Sequence, residues 1–168
     1  LKLIIKHLFT ELEGSLENYE VVIRDGGSND GTVEYLMNNN RIVYNPGGLQ
    51  GTQKEFSELF KKAKGKYILL MTDKLMVKMA PIMSGITIME NDPDFGELMY
   101  KMAVFKAKYP VKIYPSNIDD ENHIYSGDIC LFRRVDALKY WDHNYIKSGG
   151  VQDFQMRLML LGKKVALT

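Results

Sequence analysis

Asp25, Ser28, Asp30 and Thr32 fall among glycines in the run Glu20–Thr32, EVVIRDGGSNDGT, and their types suit them to holding a polar ligand. Carboxylates accept hydrogen bonds, hydroxyls both donate and accept, and glycine lets backbone approach a ligand closely. Val21, Val22 and Ile23 before them read as a strand whose carboxyl end opens into this loop. In an α/β sheet that edge is where ligands bind. The residues alone leave a second reading open: an Asx-type turn followed by a helix over Val33–Met37, with Asp30 or Thr32 as its cap.

Such a loop needs a sheet to present it, and β-like and helix-like segments alternate along the chain. That alternation predicts an α/β fold with a mainly parallel sheet. Helical spacing of apolar residues predicts helices over Leu1–Leu12, about Gly51–Lys64, Met79–Met89, Val135–Trp141 and Val151–Leu161. Strands are expected at Val21–Arg24, Arg41–Tyr44, Tyr67–Met71, Ile129–Phe132 and Val165–Leu167, with one or two more within Met99–Ile113. Asn45-Pro46-Gly47-Gly48 is a turn, and Ser116–Asn122 a polar loop.

The chain has 168 residues, which fits a single domain with a substantial core. Lys+Arg 22 against Asp+Glu 21 leaves a net charge of +1, so bulk charge gives no reason to expect nucleic acid or an anionic membrane as partner. No apolar run is long enough to span a bilayer, no signal peptide is visible, and Cys130 has no second cysteine to pair with. The location expected from these features is cytoplasmic. His7, His123 and His143 lack metal-ligand spacing and are expected in surface or core roles.

EVVIRDGGSNDGT resembles the nucleotide-binding segment of the family-2 glycosyltransferases, GT-A fold enzymes in which a hydrophobic strand is followed by D-[DG]-G-S-x-D-G-T. Three later blocks are similar to that family in the same order: Ala63–Asp73 (AKGKYILLMTD), Gly127–Arg134 (GDICLFRR) and Val151–Val165 (VQDFQMRLMLLGKKV). The resemblance implies a GT-A, Rossmann-like domain with its sheet flanked by helices. The family's opening strand has no counterpart here, which implies a clipped or unusual amino terminus. The implied reaction is inverting transfer of a sugar from a nucleoside diphosphate, UDP being the expected carrier, to a glycan or lipid-linked acceptor hydroxyl.

Carried over position by position, the resemblance makes Asp25 the acceptor for the base. It places Ser28 and Asp30 near the ribose, and Asp73 at the ribose or diphosphate. Where the family has a further aspartate that binds Mg²⁺ or Mn²⁺, this chain has Lys74, whose charge repels a divalent ion. Either Lys74 contacts the diphosphate directly in place of the metal, or the metal site is lost and Lys74 is solvated. The general base maps to Asp153 only if the helix start shifts by two residues; a gapless overlay puts Val151 there. Asp153 and Arg157, at i and i+4, also form an ordinary helix ion pair, and Asp128 is the weaker substitute. Ser57 stands where relatives carry an asparagine that touches the nucleotide. These departures support a competing reading, a catalytically inactive GT-A domain that binds nucleotide or pairs with an active partner enzyme or another copy of itself.

Overall fold

The computed structural model describes residues 1–48, 51–100, 129–144 and 149–167. The amphipathic α1 (Lys2–Glu11) is followed, after a single 3-10 turn, by β1 (Val21–Asp25), α2 (Thr32–Met37) and β2 (Ile42–Pro46). β1 and β2 pair in parallel, Val21 opposite Ile42 through Asp25 opposite Pro46, with α2 as their crossover. Then come α3 (Thr52–Lys62), β3 (Tyr67–Met71), α4 (Met79–Asn91), β4 (Phe95–Met99), β5 (Ile129–Arg133), α5 (Arg134–Tyr140), α6 (Gly150–Leu160) and β6 (Lys164–Leu167). These four strands form a second sheet in the order β3-β5-β4-β6.

The α/β class and the flanking helices match the sequence-based expectation. The mainly parallel sheet does not: β5 runs antiparallel to both β3 and β4, while β4 and β6 are parallel. A parallel neighbour requires a crossover of a dozen or more residues, and the direction of a strand after such a connection is not set by the strand's own residues. β4 also begins at Phe95, before the predicted span; of Met99–Ile113 only Met99 and Tyr100 are described. Ser116–Asn122, His123 and Asp128 lie outside the described residues.

Side-chain alternation splits the core into two faces. Leu98, Ile129 and Leu131 turn toward Ile82 and Met89 of α4 and Leu12 beyond α1. Met99, Cys130 and Phe132 turn toward Phe60 of α3, Trp141, and Phe154 and Leu158 of α6. On that second face Phe60 stacks edge-on with Phe132 and Trp141, at centroid distances of 5.4 and 5.0 Å. Cys130 is a buried small hydrophobe, as expected. Arg133 and Arg134, open to a phosphate role or to solvation by sequence, instead donate to main-chain carbonyls. Arg133 reaches those of Phe95 and Met89, and Arg134 that of Phe60.

A polar pair breaks the apolar rule on this face. Glu97, on the α6 side of β4, is fully buried, as is Gln155 of α6, whose Nε2 donates to Glu97 Oε1 at 3.5 Å. Glu97 Oε2 has no hydrogen-bond partner among the described residues. Burial pushes its carboxyl from 4.5 up to about 7, against the opposing pull of Cys130 and Gln155. A raised folded-state value means the stability is whole below pH 4.5 and falls as pH rises to about 7. The full loss is on the order of 3 kcal/mol. Glu97→Gln is therefore expected to flatten the pH dependence, matching the parent near pH 4.5 and exceeding it by roughly 2–3 kcal/mol at pH 8. Denaturant unfolding across that range checks this; parallel curves for the two proteins would refute it.

Candidate functional site

The candidate site starts at the carboxyl end of β1. Asp25 is buried, and its Oδ2 accepts the backbone N–H groups of Gly27 and Ser28 at 2.8 and 2.6 Å. Burial alone would raise its pKa, but the Ser28 hydroxyl and the Ser28 and Gly27 amides outweigh that and hold its carboxyl below the usual range. Asp25 is thus an anion at neutral pH, set in a tight turn by its own loop. Gly27, at φ +108°, occupies the left-handed region that the turn requires.

Ser28 and Asp30 are exposed on the same loop. Asp30 Oδ1 accepts the N–H of Thr32, the first residue of α2, at 3.1 Å. The hydroxyl and amide of Thr32 draw its pKa down. The Asx-turn part of the capping reading therefore holds for Asp30, while the N-cap position is Gly31, at φ +83°, which has no side chain to cap with. A hollow lined by Lys2, Gly31, Tyr35 and Asn38 lies behind the loop and contains none of the expected donor-binding residues.

Asp73 and Lys74 follow β3 and are both exposed, without a hydrogen-bond or ion-pair partner among the described residues. β1 and β3 share no ladder, so Asp25 and Asp73 do not sit on adjacent paired strands. The strands are joined at their amino ends instead, where Glu20 Oε1 accepts the N–H groups of Lys64 and Gly65, the second at 2.8 Å. Among the described residues no three His, Cys, Asp or Glu side chains could hold a metal ion together.

Asp153 lies in the first turn of α6. Its Oδ2 accepts Arg157 Nε at 2.6 Å, and Arg157 also reaches Asp142 Oδ2 at 3.1 Å. Val151 is buried in the core. Ser57 is buried and bonded through Oγ to His143 Nδ1, and His7 Nε2 donates to Val77 O at 2.8 Å. These two histidines have structural roles. Sequence reasoning missed Arg24, whose guanidinium forms an ion pair with Glu55 of α3 directly behind Asp25. A charged residue within an apolar strand was the available signal.

The model of the family described as Glycosyl transferase family 2 matches residues 2–141. The chain belongs to this family, and its fold is the GT-A fold. Staphylococcus aureus TarS 1–349 in complex with UDP superposes with a TM-score of 0.72 at 18% identity, covering 98% of this chain and 52% of that one. The same TarS fragment with UDP-GlcNAc gives a TM-score of 0.69 at 15% identity, covering 99% and 51%. A mannosyltransferase from Pyrobaculum calidifontis in complex with GDP-Man and Mn²⁺ gives 0.70 at 15% identity, again covering 99% and 51%. The chain thus spans about half the length of these proteins. Comparison with curated proteins returned no match.

The geometry separates the two acidic positions energetically. Asp25→Ala leaves two loop amides without their acceptor and is expected to cost about 1 kcal/mol. Asp153→Ala removes a half-exposed ion pair and is expected to change stability by less than about 0.5 kcal/mol. Chemical denaturation of both variants checks the order, which an equal or inverted pair of losses would contradict.

Proposed function

We propose that the chain is the donor-binding part of a glycosyltransferase. It moves a sugar, with inversion, from a UDP-sugar to a hydroxyl of a glycan or lipid-linked acceptor. The observation that carries this reading is the family match across a loop in which Asp25 is held anionic at the end of β1. The Asp25 carboxylate accepts an N–H of the base, while Ser28 and Asp30 stand on the ribose side of the same loop. Asp73 meets the ribose or the diphosphate. The nucleotide-sugar complexes of TarS and of the Pyrobaculum enzyme support this assignment of the ligand class.

Lys74 disfavours a divalent cation here, because its ammonium group follows Asp73 where the family has a further carboxylate. In this proposal Lys74 supplies the positive charge that stabilises the departing diphosphate. Asp153 takes the acceptor's proton, with Arg157 fixing the orientation of its carboxylate. A second reading, a nucleotide-binding domain without transfer activity, is favoured by that ion pair and by the buried Val151 at the family's base position.

UDP at a hundred times its Kd should stabilise the chain by about 2.7 kcal/mol, seen as a raised Tm. Asp25→Ala should abolish the shift, and no shift with any nucleoside diphosphate would end both readings. With a UDP-sugar, turnover should persist in EDTA and disappear in Lys74→Ala. Binding without turnover, unaffected by Asp153→Asn, would instead establish the inactive domain.

A further inference from the structure

Among the described residues the sheet that carries the Asp25 loop has no ladder to the larger sheet, so other contacts set the loop's position. Apolar contacts bridge the two units: Val21 reaches the main core, while α1 places Ile5 against β1–β2 and Leu8 against the main core. Such contacts bury area without dictating register. Besides the hydrogen bonds of His7 and Glu11 that tie α1 to Val77 and Met79, two polar joints start from β1 and its amino end. Glu20, at the amino end of β1, receives the amides that precede β3. Arg24, one residue before Asp25, forms the ion pair with Glu55 in the first turn of α3.

The second joint is shielded from water. The Arg24 and Glu55 side chains are only 8% and 15% exposed. Gly47, in the turn after β2, covers them so closely that a Cβ there would lie 2.8 Å from Arg24 Nε and 2.9 Å from Glu55 Oε2. Glu58, one turn further along α3, also lies within the field of Arg24. α3 is itself fixed to the larger sheet, because Phe60 is fully buried against Phe132 and Trp141. A charge on β1 therefore meets a charge on a helix anchored to the other sheet, directly beneath the turn that holds Asp25.

We infer that Arg24 and Glu55 are positioning residues that set the Asp25 loop against the rest of the nucleotide pocket. The inference rests on the proposed nucleotide-binding reading. A buried ion pair adds little to stability compared with well-packed apolar residues, and its best-attested use is to fix one arrangement among several of similar energy. Here the competing arrangements are small slides of β1–β2 along α3.

The test compares the parent, the double variant Arg24→Met/Glu55→Leu, the single variant Arg24→Glu and the charge swap Arg24→Glu/Glu55→Arg. Each is examined by ligand-free melting and by UDP titration calorimetry. The apolar double variant should melt at or above the parent temperature and bind UDP at least ten-fold more weakly. A purely structural pair would lower the Tm without that selective loss of affinity. The single variant should bind poorly and the swap should recover UDP affinity to within about three-fold of the parent, which keeps the test decisive if the apolar variant does not fold. Parent-like UDP affinity in the apolar variant, or a swap no better than Arg24→Glu, would overturn the inference while leaving nucleotide binding intact. A parent that binds no nucleoside diphosphate would overturn the functional reading and this inference with it.

Discussion

The missing ladder between β1 and β3 is the constraint on which the rest of the site depends. In a continuous sheet, backbone hydrogen bonds would set the spacing of the loops that follow each strand. Among the described residues β1 pairs with β2 alone, and β3 with β5 alone. The loop bearing Asp25 and the turn bearing Asp73 and Lys74 therefore belong to different sheets. Their relation is carried by α1, by the anchored helix α3, and by the charged side chains Glu20, Arg24 and Glu55.

The larger sheet is a rigid support. β4 and β5 are covered on both faces, and the aromatic group of Phe60, Phe132, Trp141 and Phe154 locks α3 and α6 onto one of them. α6 thus presents Asp153 from a helix whose inner face is fully packed. Burial of Glu97 between β4 and α6 makes that same joint sensitive to protonation. Charge placed inside the scaffold and charge placed at its upper edge have opposite effects. Glu97 is strained when ionised, whereas Asp25 is stabilised as an anion by its own turn.

Much of the fold could be read from the sequence because apolar periodicity reports burial directly. β3 falls where its run of Tyr67–Met71 predicts, and five predicted helices appear with ends shifted by a residue or two. The direction of β5 could not be read, because strand polarity depends on the connection and not on the strand's own residues. β4 was not foreseen at Phe95–Met99, since Asn91-Asp92-Pro93 reads as a helix stop and obscures the strand that follows at once. At the site, the loop chemistry of Asp25 and the Asx turn of Asp30 were both visible in residue types. The Arg24–Glu55 pair was not, because it joins a strand to a helix across a tertiary contact. Ser57, which departs from the asparagine that relatives carry at this place, is found sealed against His143; position in a pattern does not report burial.

The proposed nucleoside diphosphate site joins the Asp25 loop after β1 to Lys74 after β3. A crystal structure of the chain with UDP tests this directly. The account predicts uracil hydrogen-bonded to the Asp25 carboxylate and the diphosphate within reach of Lys74 Nζ. UDP bound away from the β1 loop, or with its phosphates turned away from Lys74, would contradict it.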